Sequence, residues 1–323
     1  MRISIFGLKL DKINCKQSPI VEPGLQPLIE EFVTSGNLST SANPDIAIQN
    51  TNITFVCVGT PSAKDGSLDL QYILSACQSI GNSLRHKKDY HTVVIRSTIL
   101  PGTSENYLIP CLEQFSGKQA GRDFGYLLNP EFLREGCAIA DYRDPPKIVI
   151  GVHADSDISS LESLYASLSC PQITTSLKNA EAIKYVDNSW HALKVGFANE
   201  IGNILKDQGI DSHEVMEIFS LDIKLNISSA YLKPGFSYGG SCLPKDVQAL
   251  STHARKKGLG TPILTSLMQA NEDQINRTVD MIAVRGIKKI LLLGIAFKAN
   301  TIIFYDDVYV IIVVCQVYSG FCR

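Results

Sequence analysis

The sequence predicts an α/β fold in which a parallel sheet occupies the first half of the chain and a helical domain follows. Two observations support this prediction. Up to about residue 170, short apolar runs of strand length alternate with amphipathic runs of helix length, which is typical of a parallel sheet covered by helices on both faces. From residue 177 onward, long stretches of helical periodicity replace this alternation.

Composition excludes several classes of protein. The 323 residues are enough for two domains, and 45% hydrophobic and 19% charged residues are typical of a globular chain. A net charge of −2 without a Lys/Arg block argues against nucleic-acid binding. The apolar stretch Val308–Val314 is far shorter than the ~20 residues of a membrane span. Nine cysteines without a CxxC pair predict a reducing, cytoplasmic setting with neither disulfides nor bound metal.

The apolar and amphipathic runs predict the following strands and helices, given in chain order. Arg2–Phe6 is predicted to form a first strand that ends at Gly7. Further strands are predicted over Ile53–Val58, Thr92–Ile95, Phe124–Leu128, Lys147–Val152 and Lys288–Gly294. Helices are predicted over Leu25–Thr34, Tyr72–Leu84, near 177–208 and over Pro262–Ile282.

The turn after Gly7 lacks the glycines by which dinucleotide-binding folds hold a pyrophosphate. The next glycine is Gly24, so no G-x-G-x-x-G sequence follows the first strand. No second strand ends in an acidic residue that would hold a ribose. We interpret this as an internal loss of the ~30 residues of one βαβ step, and we expect weakened cofactor binding.

Three short blocks carry groups suited to catalysis. Gly239–Asp246 places Cys242 after two glycines and just before a lysine and an aspartate, where a thiolate can be stabilised; a buried cysteine in a turn explains this block equally well. Lys184 and Asn188 share one helix face and can together stabilise an oxyanion, although a lysine on a solvated face is the commoner case. Glu131 follows a proline in a loop, where it can serve as a general base or be a surface carboxylate.

Together, the blocks Asn129–Leu133, Lys184–Asn188 and Gly239–Asp246 resemble the nucleotide-sugar 6-dehydrogenases of the UDP-glucose/GDP-mannose dehydrogenase family. The resemblance extends over residues 1–8 and about 12–299. It implies an incomplete Rossmann-like NAD-binding domain over 1–170 and a helical domain over 171–285 that forms a homodimer. Residues 286–323 then correspond to a remnant of a C-terminal domain that binds the nucleotide sugar.

The resemblance also assigns roles to residues. The implied catalytic residues are Cys242, Lys184, Asn188, Glu131 and Asp246. Thr60 and Thr98 end predicted strands and are candidates for NAD contact, although both are equally suited to helix capping; Glu135 is a third candidate, by resemblance. The implied substrate-binding residues are Phe132, Leu133, Arg134, His191, Asn226, Tyr231, Lys233, Gly239 and Lys298.

The implied reaction is a four-electron oxidation of a nucleotide sugar at C6 through a thioester on Cys242. Glu22-Pro23-Gly24, Arg134, His191 and Leu232–Phe236 resemble the GDP-mannose branch of the family more than the UDP-glucose branch, although Lys233 replaces its usual arginine. Three alternatives stay open: UDP-glucose as substrate, a two-electron hydroxyacid dehydrogenase, and a non-catalytic remnant that serves as a dimerisation module. The absence of a cysteine nucleophile from hydroxyacid dehydrogenases argues against the second.

Overall fold

The computed structural model divides the chain into two compact units. The first contains the described residues up to 63 together with 68–184, and the second contains 64–67 and the described residues from 185 onward. The described residues are 5–154, 156–207, 209–223, 235–240, 242–256, 258 and 261–285. The predicted strand Lys288–Gly294 and the predicted remnant over 286–323 therefore lie outside them. The domain boundaries at 170 and 285 stay predictions.

A five-stranded sheet organises the first unit, and its strands lie side by side in chain order. The strands are β1 Ile53–Val56, β2 Thr92–Ile95, β3 Gly125–Leu128, β4 Ile148–Val152 and β5 Gln172–Ser176. The first three are parallel, in a register that pairs Val56 with Ile95 and Ile95 with Leu128. β3 and β4 are antiparallel, and β4 and β5 are again parallel. The predicted α/β fold with a mostly parallel sheet is confirmed.

The central strand β2 is covered on both faces of the sheet. Val93 and Ile95 share one apolar cluster with side chains of α4 (Gln71–His86) and α5 (Ile109–Ser116). A π-helical turn over Ser104–Leu108 comes directly before α5. Val94, between Val93 and Ile95, belongs to a second cluster with side chains of α7 (Ser159–Tyr165). Successive side chains of a strand point to opposite faces. A strand buried on both faces is therefore almost continuously apolar, as Val93–Ile95 are after Thr92, which is why this run could be recognised in the sequence.

The segment before β1 is helical. It contains α1 Ile5–Asn14, α2 Leu25–Thr34 and α3 Pro44–Gln49. The predicted strand Arg2–Phe6 is wrong for its described part, because Ile5 and Phe6 belong to α1, whereas positions 1–4 lie outside the described residues. The leucines and lysines that come next favour a helix, and a strand is stable only when it pairs with another. Among the described residues no strand pairs with the outer edge of β1; the internal loss of a strand stays a prediction.

The side chain of His91 links the edge strand β1 to β2 through hydrogen bonds. It is fully buried immediately before β2. Its ring nitrogens lie 2.8 Å from Thr54 Oγ1 and 3.0 Å from the carbonyl oxygen of Thr51. Burial lowers the pKa of His91 from an ordinary value of 6.5 to about 4, because the charged ring would lose its hydration. His91 is therefore neutral at pH 7.

The first turns of α8 (Leu177–Asp207) pack closely on the sheet. A side chain at Gly151 of β4 would come within 2.7 Å of the Ala180 Cβ atom, so only glycine allows this approach. Glu181 is 2% exposed and accepts hydrogen bonds from the backbone N–H groups of Gly102 and Ser104 at 2.5 and 2.8 Å. Burial raises the pKa of Glu181, and these two hydrogen bonds oppose the increase.

The second unit is built from helices. After α8 come α9 Ser212–Ser220, α10 Leu243–Lys256 and α11 Pro262–Val284. The helices predicted near 177–208 and over Pro262–Ile282 are confirmed. The core of this unit includes Ala192 of α8, Val247 of α10 and the loop residue Tyr238. Leu264 of α11 packs against them. This cluster joins three helices to the loop that precedes Cys242.

The remaining short helix, α6, spans Ala138–Arg143 in the first unit. No helix in the described part of the chain is both long and apolar enough to cross a lipid bilayer. Within the same residues, no group of three or more His, Cys, Asp or Glu side chains is arranged to hold a metal ion.

Candidate active site

In the first unit, an ion pair between a buried lysine and a partly exposed glutamate joins two of the predicted catalytic residues. Glu131 lies in the loop after β3, and its Oε1 atom is 3.1 Å from Nζ of Lys184 on α8. The other carboxylate oxygen accepts the N–H of Leu133 at 2.7 Å. Lys184 is only 5% exposed, and an ammonium at such a position needs a charged partner to offset its lost hydration. The folded first unit thus brings together a carboxylate and an ammonium that are 53 positions apart.

Phe132 lies next to this pair and contacts two lysines. Nζ of Lys147 is 4.7 Å from the centre of its ring, and Nζ of Lys184 is 5.7 Å away. Both distances are within the range of a cation–π attraction. Phe132, Lys147 and Glu131 also line a small cavity of about 40 Å³, together with Arg96. The predicted substrate residues Phe132 and Leu133 therefore border Glu131, and both are partly buried.

A network that the sequence did not reveal holds the loop that carries Glu131. Arg96 donates to the side-chain oxygen of Asn129 at 2.5 Å, and the Tyr165 hydroxyl donates to the same oxygen at 2.6 Å. The Asn129 amide donates to the carbonyl of Val149 at 2.9 Å. Asn129 is 2% exposed, so this network fixes the chain two residues before Glu131. The available signal was an arginine directly after a fully buried strand.

The predicted cofactor residues come after β1, β2 and β3. The Thr60 hydroxyl donates to the carbonyl oxygen of Thr98 at 2.8 Å, so the structure brings these two together. Glu135 is partly buried in the loop after β3. Because the three strands are parallel, polar groups from their carboxyl ends belong to one side of the sheet, the side at which ligands bind in open α/β sheets.

Cys57 directly follows β1 at this side of the sheet. Although the residue as a whole is exposed, partial burial of its thiol raises the pKa of the group. The nearby Arg96 acts to lower this pKa, and Glu131 acts to raise it. Cys57 is therefore a thiol rather than a thiolate at neutral pH.

Arg134, a predicted substrate-binding residue, forms a bidentate ion pair with Asp141. Its Nε and Nη2 atoms donate to the two carboxylate oxygens at 3.0 and 2.7 Å. The side chain of Glu22 accepts the N–H groups of Gly136 and Ala138 at 2.8 Å each. The block Glu22–Gly24 therefore steadies the loop that contains Arg134, although 114 positions separate Glu22 from Gly136.

In the second unit, Asn188 and Asp246 form a buried pair. Asn188 is 5% exposed and Asp246 is fully buried. The Asn188 amide donates to Oδ2 of Asp246, and Nζ of Lys245 lies 3.1 Å from Oδ1. The buried carboxylate thus has one hydrogen-bond donor and one ammonium beside it, which is the kind of partnership that a buried acid requires.

Cys242 lies at the N-terminal end of α10 and is an exposed residue. Its carbonyl oxygen accepts the N–H of Asp246 at 2.8 Å, which is the first hydrogen bond of the helix. The interpretation of this cysteine as a buried turn residue is therefore wrong, because the residue is exposed. The partial positive charge of a helix N-terminus favours an anion at this position.

The other predicted substrate residues divide into two groups. His191 on α8 and Gly239 in the loop before Cys242 are partly buried. Asn226, Tyr231, Lys233 and Lys298 lie outside the described residues, so their roles stay predictions.

Two domains of one protein family match the chain. Residues 3–169 match the NAD binding domain of the UDP-glucose/GDP-mannose dehydrogenase family, and residues 178–273 match the central domain of the same family. The predicted cofactor, NAD, is confirmed by the first match. GDP-mannose 6-dehydrogenase from Azotobacter vinelandii is 50% identical over 299 residues, which cover 93% of this chain and 69% of that protein.

Solved structures give the same result. The UDP-glucose dehydrogenase of Pyrobaculum islandicum is 34% identical with a TM-score of 0.82, and the similarity covers 86% of this chain and 63% of that one. A ternary complex of GDP-mannose dehydrogenase from Pseudomonas aeruginosa is 49% identical with a TM-score of 0.68, over 90% of this chain and 67% of that one. The chain thus spans 63% to 69% of the length of these relatives. From its matched domains and its identity to these enzymes, the chain belongs to the UDP-glucose/GDP-mannose dehydrogenase family.

Proposed function

We propose that this chain is an NAD-dependent dehydrogenase that oxidises GDP-mannose at C6 to GDP-mannuronate. The observation that carries this proposal is its 50% identity to a GDP-mannose 6-dehydrogenase across 93% of the chain. The pairs Lys184–Glu131 and Asn188–Asp246 support it, because each places two of the proposed catalytic groups in contact.

The first oxidation converts the C6 alcohol to an aldehyde. NAD⁺, when bound, supplies the hydride acceptor for this oxidation and for the next. Asp246, or a water ordered by it and by Lys184, takes the hydroxyl proton. The Lys184 ammonium stabilises the negative charge that develops on the C6 oxygen.

The second oxidation takes place on a covalent intermediate. The thiolate of Cys242 adds to the aldehyde carbon and forms a thiohemiacetal, whose oxygen Lys184 and Asn188 stabilise. Loss of a hydride from C6 and of the hydroxyl proton turns the thiohemiacetal into a thioester. Glu131 then takes a proton from the water that attacks the thioester carbonyl, and the Cys242 thiolate leaves as the carboxylic acid forms.

The described residues fit only part of NAD. Thr60, Thr98 and Glu135 are proposed to contact the cofactor from the ends of the strands. The glycine turn that would hold the pyrophosphate is missing after Gly7. The chain therefore retains the residues proposed to contact the cofactor at the strand ends, but it lacks the turn that would supply most of the affinity for the cofactor phosphates.

The test is a product count with the purified chain, GDP-mannose and NAD⁺ in high concentration. Two NADH per sugar and a uronate product identified by mass spectrometry are expected. One NADH per sugar would support a two-electron dehydrogenase instead. Faster turnover of UDP-glucose would support the UDP-glucose branch, and no turnover of either sugar would support a non-catalytic module.

We also propose that the chain forms a homodimer in the cytoplasm. On one face of α8, Val186, Trp190 and Phe197 are 56%, 41% and 42% exposed. Exposed apolar side chains that share one face of a helix are typical of an interface.

Sedimentation analysis tests the dimer and is expected to give twice the mass of the chain, 35.4 kDa. Trp190→Glu should shift the chain to the monomer, because a carboxylate in an apolar interface loses its hydration. Glu214→Gln, at an exposed position of α9, is the control and should leave the dimer intact. A monomer in the unaltered chain would contradict the proposal.

A further inference from the structure

The loop over residues 235–240 is held by amide side chains from two helices. It has neither helical nor strand structure in its described residues, so its backbone groups cannot be satisfied by a regular ladder. Unpaired backbone groups are costly wherever they are shielded from water. Three side chains, Asn199 of α8 and Asn271 and Gln274 of α11, supply the missing hydrogen bonds.

Asn199 forms a pair of hydrogen bonds with the start of the loop. Its side-chain oxygen accepts the N–H of Gly235 at 2.7 Å, and its amide donates to the carbonyl of Phe236 at 2.9 Å. Asn199 is 5% exposed. Gln274 donates to the carbonyl of Gly235 at 2.6 Å.

Asn271 binds the middle of the loop in the same way. Its side-chain oxygen accepts the N–H of Tyr238 at 2.8 Å, and its amide donates to the carbonyl of the same residue at 3.0 Å. The Tyr238 hydroxyl donates to the carbonyl of Leu267 on α11 at 3.1 Å. The Asn271 amide therefore pairs with one residue as a neighbouring strand would, with one donor and one acceptor.

Two glycines connect this anchored part of the loop to the segment that carries Cys242. Gly239 and Gly240 come directly after Tyr238, and Gly240 has a φ of 84°, a conformation that few other residues adopt. A glycine pair has little stiffness of its own, so the position of the thiol depends on the anchors at either side. The downstream anchor is α10, and the upstream anchor is Tyr238, which shares an apolar cluster with Val247 of α10.

We propose that Asn199 and Asn271 are positioning residues for Cys242: they fix the loop before the glycine pair and so hold the thiol at the N-terminus of α10. The catalytic importance of holding this thiol rests on the proposed function, in which Cys242 is the nucleophile. The arrangement itself can be tested without turnover.

The experiment compares the alkylation of individual cysteines by iodoacetamide, read out by peptide mass spectrometry over a range of pH. Asn271→Asp and Asn199→Asp keep the size and the acceptor oxygen of each side chain but remove the donor. Cys15 is exposed and serves as the reference thiol in the same sample. Gln269→Ala is the matched control, since Gln269 is also on α11 but bonds to the exposed Asp273.

The expected result has two parts. In both aspartate variants the alkylation of Cys242 at neutral pH should fall about fivefold and its pH profile should change, while Cys15 reacts as before, because the loss of a hydrogen bond shifts the loop population by such a factor. Hydrogen exchange of the 235–240 backbone should become faster. The control variant should change neither quantity.

Two results would overturn the proposal. One is faster exchange of the loop with an unchanged Cys242 rate and pH profile, which would mean that the amides serve the fold alone. The other is no change in either quantity. If the aspartate variants fail to fold, Gln274→Ala removes one outer hydrogen bond and is read in the same way. A Cys242 that reacts no faster than Cys15 in the unaltered chain would instead count against the proposed function.

Discussion

Lys184 and Asp246 are charged groups held almost entirely away from water, at 5% and 0% exposure. Each has a partner: Glu131 lies beside Lys184, and Asn188 and Lys245 lie beside Asp246. Buried ion pairs are seldom a net gain in stability over apolar residues of the same size. Their presence is therefore better explained by the proposed chemistry than by the fold.

Cys242→Ser should stop the reaction at or before the aldehyde, because a hydroxyl does not readily form the acyl intermediate. NADH release and the mass of the product are the measurements. Full uronate production by this variant would rule out the covalent route. Cys15→Ser, at an exposed cysteine of the first unit, is the control and should leave turnover unchanged.

Lys184→Ala should slow both oxidations by ~10²–10³, the usual effect of removing one oxyanion donor. The rate of NADH release in each half-reaction is the measurement. Lys178→Ala is the control, because Lys178 is on the same helix but forms an exposed pair with Glu105. An equal loss of rate in the two variants would contradict the role proposed for Lys184.

His91 should make the stability of the first unit depend on pH. Its pKa of about 4 in the folded chain is below its ordinary 6.5, so the unfolded chain binds a proton more readily. Stability is then complete above pH 6.5 and is lost as the pH falls toward 4, by about 2 kcal/mol at pH 5. Denaturant unfolding at pH 7 and pH 5 measures this loss. His91→Gln should reduce the difference, whereas His86→Gln, at an exposed position of α4, should leave it intact.

The candidate site residues could be recognised in the sequence, but their neighbours could not. Cys242, Lys184 and Glu131 stand in short local blocks. Arg96 and Tyr165, by contrast, contact Asn129 across separations of 33 and 36 positions. Such contacts depend on which strands are adjacent, and no local pattern encodes that.

At the scale of elements, the contact between β4 and α8 should tolerate no side chain at Gly151. The added methyl of Gly151→Ala would meet Ala180 at 2.7 Å and the Leu177 backbone at 3.2 Å, so the two elements must separate. Overpacking of this kind costs roughly 1–3 kcal/mol. Denaturant unfolding provides the measurement. Gly59→Ala is the control, since a methyl group there meets nothing within 4 Å, and equal stability of both variants would contradict the prediction.

The elements that the sequence revealed are those with a strong apolar pattern. β2 and α8 were predicted because their patterns are long or continuous. β5 was not, because Gln172–Ser176 is mostly polar and exposed and lacks the run by which a buried strand is recognised. α10 (Leu243–Lys256) was not predicted as a separate helix. Its first turn belongs to the block Gly239–Asp246, which contains two glycines and Pro244, although proline is well tolerated in the first turn of a helix.

For the whole molecule, cofactor affinity is the property most affected by the missing glycine turn. Calorimetric titration of the chain with NAD⁺ is expected to show no micromolar binding, because neither a pyrophosphate-binding turn nor a ribose-binding acid follows Gly7. Insertion of a βαβ step from a relative after Gly7 should restore binding. Micromolar affinity in the unaltered chain would show that other residues replace the turn.

Family and fold class were within reach of the sequence because three separate blocks pointed to the same chemistry. The structure of the first residues was not, because a short apolar run such as the one before Gly7 is compatible with a strand or a helix, and Ile5 and Phe6 belong to a helix. Local propensity then favoured the helix α1.

The strand β1 is the last of the sheet on its side within the described part of the chain, and this has a consequence in concentrated solution. Outward backbone donors and acceptors of such a strand form a template to which an extended segment of another molecule can add. Three of its four residues are only partly covered. The chain should therefore associate slowly through this strand into β-rich aggregates, at a rate that rises steeply with concentration.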